Sequence, residues 1–312
     1  MKIILFGMRR SGTTLAFNIF RRNSSLLCFH EPLHPNLVST DRLSCLARDK
    51  KRVYSEYKSI YEELTKRHEG FGAPKYDVVE ELIYNNLTGR HLAYLDFLFE
   101  CAENVLIQPV RLNYQLYQLR ERFPNARFVW IVRQPEGFIN SVLKYRPSLL
   151  TYHDACLAGS HAIKTCKENI VFRMTRGWNA FDNPWSQVAA ANFIVQSRPF
   201  FRRLITAPTW IKLLALWYDH YRFVTEFINS NPQNSFVFDY DKACCSEAYI
   251  KDLMASIKLD YPAGNFNELI DKKVMQKQNE SRIDISDGEI MIQKQFEEAG
   301  LGLDLSFRHL IG

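Results

Sequence analysis

Five short, mainly apolar runs punctuate the chain: Lys2 to Phe6, Leu26 to Phe29, Val105 to Val110, Phe128 to Val132 and Ser235 to Phe238. Their brevity and their Ile, Val, Leu and Phe content suit strands covered on both faces, the habit of a parallel sheet. Between the runs, apolar residues recur at helical spacing. Leu15, Phe17, Ile19 and Phe20 follow the first run, and Tyr114 to Phe123 lead into the fourth. Val53 to His68, Val78 to Leu87 and Leu92 to Cys101 are further amphipathic stretches, the first two separated by Gly70-Phe71-Gly72-Ala73-Pro74. Trp217, Tyr218, Tyr221, Phe223 and Phe227 lie on a long helix that runs to Pro232, and another amphipathic helix after the fifth run reaches about Leu259. The pattern predicts the α/β class: a central, mainly parallel five-stranded sheet between helical layers. We expect one domain over 1–312, with a helical insertion at about 36–103 and a second helical region at about 149–229.

In an open parallel sheet, residues just past the strand C-termini meet along one edge, where ligands bind. The first run opens into Gly7-x4-Gly12-Thr13-Thr14. This is the spacing of a phosphate-cradling P-loop, and it predicts a P-loop-like three-layer fold, but Thr13 stands where the usual lysine would be. A nucleoside-triphosphate enzyme sets that lysine on its β and γ phosphates, so its loss points to a ligand with fewer consecutive phosphates at this end. Arg9 and Arg10 supply positive charge instead, and a helix beginning near Ser11 to Thr14 aims backbone N–H groups at the same place. The plain alternative is an ordinary strand-to-helix connection, although adjacent arginines in a glycine turn are costly without an anion.

The fourth run ends in Arg133, then Pro135 stops the strand before a helix carrying Ser141. A guanidinium fork grips a phosphate bidentately and a serine hydroxyl adds a neutral hydrogen bond, although a salt-bridged arginine and a helix-surface serine would look the same in sequence. The second run ends in His30-Glu31-Pro32-Leu33-His34-Pro35, where the prolines halt regular structure and present His30, Glu31 and His34. The third run is followed by Arg111.

Arg10-Ser11-Gly12-Thr13-Thr14 resembles the 5′-phosphosulfate loop of the sulfotransferases that use 3′-phosphoadenosine 5′-phosphosulfate (PAPS), and Arg133, Pro135 and Ser141 are similar to that family's 3′-phosphate site. The segment at Glu31-Pro32 resembles one in the carbohydrate-type and several bacterial members, whose glutamate is the general base. Members of the cytosolic branch use a histidine farther along the chain, so His30 and His34 stand as second choices. The resemblance implies sulfuryl transfer from PAPS, released as 3′-phosphoadenosine 5′-phosphate (PAP), to a hydroxyl of a carbohydrate, small-molecule or natural-product acceptor. It implies Glu31 and Arg10 as catalytic, with Arg9, Arg10, Ser11, Gly12, Thr13, Thr14, Arg133 and Ser141 on the donor. His30, His34 and Arg111 fall to the acceptor side, and no metal is needed. Gln108 stands where a basic residue is common, and Leu15 where the cytosolic branch carries an adenine-stacking tryptophan. Asp239-Tyr240-Asp241 resembles a segment that docks the following helix, and Lys272, Lys273, Lys277 and Arg282 are candidates to close the 3′-phosphate site. An alternative reading of Glu31 is a tie to Arg9 or Arg10 that simply holds the loop.

Composition narrows the field. A chain of 312 residues, 46% hydrophobic, buries a sizeable core. The excess of 40 Lys and Arg over 34 Asp and Glu suits an anionic ligand, yet no basic run suggests a nucleic-acid tail. Seven scattered cysteines without a Cys-x-x-Cys pair indicate neither a disulfide framework nor a zinc site. No stretch approaches the ~20 apolar residues of a membrane span, and the expected location is the cytoplasm. A P-loop kinase or nucleotide hydrolase, and a non-catalytic anion- or nucleic-acid-binding protein, are the competing classes.

Overall fold

A computed structural model describes residues 1–33, 55–60, 63, 66, 87–110, 112–144, 185–261, 266, 270 and 284–301. The chain divides into two compact units, one of Met1–Arg133 with Glu226–Glu280 and the other of Gln134–Thr225 with Ser281–Leu310.

The first unit holds the sheet. Its strands are β1 (Lys2–Phe6), β2 (Leu27–His30), β3 (Val105–Gln108), β4 (Arg127–Val132) and β5 (Ser235–Asp239), in the order β2-β3-β1-β4-β5. Every pairing is parallel, so all five C-termini lie on one edge. The two middle strands bury both faces: Ile3, Ile4 and Leu5 of β1 and Phe128, Val129 and Ile131 of β4 are fully inaccessible. One face, through Ile3, Leu5, Val129 and Ile131, packs on Ala16, Phe17, Ile19 and Phe20 of α1 (Thr13–Arg21), with Ile250, Leu253 and Met254 of a later helix in the same cluster. On the opposite face, Phe227 meets Phe6 and Phe128 at ring-centroid distances of 6.4 and 5.1 Å. Helices thus cover both faces, giving three layers.

The order explains the edge. β1 leads to β2 on one side, whereas β3 leads to β4 and β5 on the other, so right-handed crossovers place their helices on opposite faces and open a crevice beyond β1. Among the described residues, the helices between β2 and β4 are α2 (Glu56–Ser59), α3 (Gly89–Glu100) and α4 (Leu116–Arg122). α2 falls within the expected Val53 to His68 helix, and most of Val78 to Leu87 lies outside the described residues. β2 also runs one residue past the sequence expectation, taking in His30, because that side chain is buried and pairs in register with Gln108.

After β4 come α5 (Pro135–Leu143), α6 (Trp185–Ser197), a 3₁₀ turn at Pro199–Leu204 and the long α7 (Thr209–Ser230). Up to Thr225 these belong to the second unit, with α10 (Ser286–Glu298). Phe201 there is fully buried, against Phe200 and Phe296, and the Trp217 ring stacks on Tyr221 at 4.9 Å, so these aromatics are core. The carboxylate of Asp219, wholly buried, accepts from Arg198 Nε at 3.2 Å. Beyond β5, the expected single helix is two, α8 (Tyr240–Cys245) and α9 (Glu247–Ser256), because Ser246 leaves helical geometry and caps the second through Tyr249 N–H. Cys28, Cys101, Cys244 and Cys245 are free thiols, and burial pushes Cys28 and Cys244 up to about 12. No helix among the described residues is long and apolar enough to cross a membrane.

Candidate functional site

The loop between β1 and α1 is shaped by two glycines. A Cβ at Gly7 would lie 2.5 Å from the carbonyl oxygen of Ile131, so only glycine lets the loop leave β1 flush against β4. Gly12 has φ 91°, and a Cβ there would lie 2.0 Å from Cδ2 of Tyr240. Arg10 is also left-handed, at φ 73°, a geometry disfavoured for a residue with a side chain. The turn is closed by Ser11 N–H donating to the Met8 carbonyl at 3.1 Å. α1 then starts without a side-chain cap and without an acid in its first turn. Its first N–H groups, which have no partner inside the helix, are therefore offered at the edge with their positive end of the helix dipole. Ser11 and Thr13 are buried in this turn, while Thr14 is exposed.

Arg133, immediately past β4, reaches this loop. Its Nη1 donates to the Arg10 carbonyl at 3.4 Å, and its guanidinium lies over the Tyr240 ring, 4.6 Å from the centroid. Tyr240 is the first residue of α8 and is held by its neighbour: Asp239 Oδ1 accepts from Asp241 N–H at 2.9 Å and Lys242 N–H at 3.1 Å. Burial raises the Asp239 carboxyl to about 6 although both N–H groups pull it down. Burial also raises the Tyr240 phenol, with Arg133 opposing.

On the other flank, Glu31 follows β2 at φ 43°. Its Oε2 lies 3.7 Å from Arg9 Nη2 and its Oε1 4.0 Å from His30 Nε2. The Glu31 N–H donates to the Gln108 carbonyl at 3.0 Å, and the His30 Nδ1 meets Gln108 Oε1. Tyr57 of α2 donates its hydroxyl to the His30 carbonyl at 3.1 Å, and the Phe17 ring lies 4.7 Å from the imidazole.

The structure therefore brings Arg9, Arg10, Ser11, Gly12, Thr13, Glu31, His30 and Arg133 to one end of the sheet within one unit. Ser141 is half-buried on α5, in the second unit. His34, Arg111, Lys272, Lys273, Lys277 and Arg282 lie outside the described residues. Two contacts were missed in sequence: Tyr240 under Arg133 and Gln108 beside His30. The only signal for Gln108 was a polar residue closing an apolar run.

An uncharacterized protein of Archaeoglobus fulgidus is 25% identical over 150 residues, a match taking in 43% of this chain and 45% of that protein, so less than half of the relative's length is spanned. The model of the Sulfotransferase family matches residues 2–195, from β1 through the glycine loop, Glu31 and Arg133 into α6. That match covers more than half of the sequence and includes four of the five strands, and on it this chain belongs to the sulfotransferase family.

Proposed function

We propose that the protein transfers a sulfuryl group from PAPS to a hydroxyl of a carbohydrate or small-molecule acceptor. The observation that carries the reading is the tie between Arg133 and the glycine loop, which sets a phosphate-binding guanidinium beside a helix start shaped for an anion. Bound PAPS would supply the sulfuryl group. The residues present suit it: the backbone N–H groups of Gly12 to Thr14 and the Arg10 guanidinium offset charge gathering at the 5′-phosphate, and Arg133 takes the 3′-phosphate. Arg10 contributes charge and donors rather than a transferable proton.

Glu31 is the general base. A carboxylate within hydrogen-bond reach accepts a hydroxyl proton without a metal, and this one stands past a strand end at the crevice. Its ion pair with Arg9 also fits the alternative in which Glu31 merely braces the loop. Against that, a left-handed glutamate costs on the order of 1 kcal/mol, a strain that a brace made by Asn would avoid and that tends to mark functional positions.

The test separates the roles. Glu31→Gln should lower turnover with labelled PAPS by roughly 10²–10⁴-fold while leaving the affinity for adenosine 3′,5′-bisphosphate in calorimetry unchanged. Arg133→Ala should weaken that affinity by roughly 10- to 150-fold, the loss of a charge-assisted contact of ~1.5–3 kcal/mol. Full turnover in the first variant refutes the base, and full affinity in the second refutes the 3′-phosphate site.

A further inference from the structure

His30 is almost fully buried at the end of β2, and Gln108, wholly inaccessible, faces it from β3 in register. An amide oxygen can only accept, so its contact with His30 Nδ1 requires that nitrogen to carry the proton. In the neutral ring the other nitrogen, Nε2, then carries the lone pair, and it points toward Glu31, 4.0 Å from Oε1. The ring is not free to turn: Phe17 lies against it at 4.7 Å, and its backbone is held by the Tyr57 hydroxyl and the strand pairing. Arg9 also faces the carboxylate, 3.7 Å away on the opposite oxygen.

We infer that Gln108, His30 and Glu31 form a proton relay in which Gln108 is a positioning residue that fixes the His30 tautomer, so that His30 takes from Glu31 the proton removed from the acceptor hydroxyl. The inference rests on the assignment of Glu31 as base. As the acceptor oxygen bonds to sulfur, the bond from sulfur to the 5′-phosphate oxygen breaks and the phosphate keeps that electron pair. The acceptor O–H proton passes to Glu31, then to the Nε2 lone pair, leaving Glu31 ionised and His30 an imidazolium held by Gln108 and the carboxylate. The burial of His30 then has a use, because a proton parked there is removed from the acceptor and the leaving group.

Two measurements decide it. In protein labelled with ¹⁵N-histidine, long-range proton–nitrogen spectra read each imidazole's tautomer, with His30 assigned from its loss in His30→Gln. The resting wild type should show His30 protonated at Nδ1. Gln108→Leu, close in volume, should move the proton to Nε2, and Gln108→Glu, a stronger acceptor, should keep it on Nδ1. In turnover, Gln108→Leu should lower kcat by about tenfold or more with little change in acceptor KM or bisphosphate affinity, and Gln108→Glu should restore most of the loss and displace the acidic limb of the pH–rate profile. An Nε2-protonated wild type, or an undiminished kcat in Gln108→Leu with its tautomer reversed, overturns the relay. The spectrum needs no turnover, so a failure of sulfuryl transfer itself would be seen separately, as would an active Glu31→Gln enzyme.

Discussion

Replacing Gly12 with Ala tests the contact on which the donor side is built. The new methyl would enter at φ 91°, a left-handed geometry that costs an L-residue ~1–2 kcal/mol. It would also start 2.0 Å from Tyr240 Cδ2 and 2.5 Å from Cε2, so the ring must move, at roughly 1–3 kcal/mol for an overpacked site. Together these predict about 2–5 kcal/mol lost, and the displaced ring would no longer lie 4.6 Å under Arg133. Tyr240→Ala removes the obstacle, at a cost of its own. In that background Gly12→Ala should cost only the backbone term, ~1–2 kcal/mol, so the double-mutant cycle should show ~1–3 kcal/mol of coupling. Because the chain has two units, hydrogen-exchange protection of β1 and β4 amides is the suitable readout, paired with calorimetry of adenosine 3′,5′-bisphosphate. An identical penalty for Gly12→Ala with and without the tyrosine would refute the reasoning, and so would unchanged bisphosphate affinity in the single variant.

Acid should loosen both units. Burial lowers His91 from 6.5 to about 4 in the first and His220 to about 3 in the second. An unfolded chain takes up those protons first, so stability falls as pH drops below about 6.5. Asp239, raised to about 6, acts the other way between about 4 and 6, but on a smaller shift. Urea midpoints at pH 7.5 and 4.5 check this, and an unaltered midpoint contradicts it. Arg198→Met takes the guanidinium from the fully buried Asp219 carboxylate and should cost ~3–5 kcal/mol, whereas exchanging both for apolar residues should cost much less. Equal losses in the single and double variants would show that the pair is not coupled.

What could be read from the sequence was whatever is local. The strands were legible because buried parallel strands are apolar throughout, and the loop because Gly7 and Gly12 are fixed by the turn they make. Arg133 and Glu31 were found because a polar residue ending such a run must sit at the ligand edge. The contact of Tyr240 with Gly12 and Arg133 joins residues far apart in the chain, and no local pattern encodes it. His30 was expected at a strand end rather than inside the strand, since nothing in its neighbours announces that Gln108 satisfies it. The break at Ser246 was hidden because the apolar spacing continues across it.

The middle position of β1 has a consequence for biosynthesis. It is made well before its partners on either side, β3 and β4, which are encoded far downstream: Lys2 pairs with Val105 and Ile3 with Arg127. At ribosomal rates the nascent strand stays unmatched for on the order of ten seconds, exposing a sticky, uncharged Ile-Ile-Leu-Phe edge. Cells producing this chain faster than a chaperone can shield that segment should therefore accumulate it as aggregate, and slowing translation should raise the soluble yield.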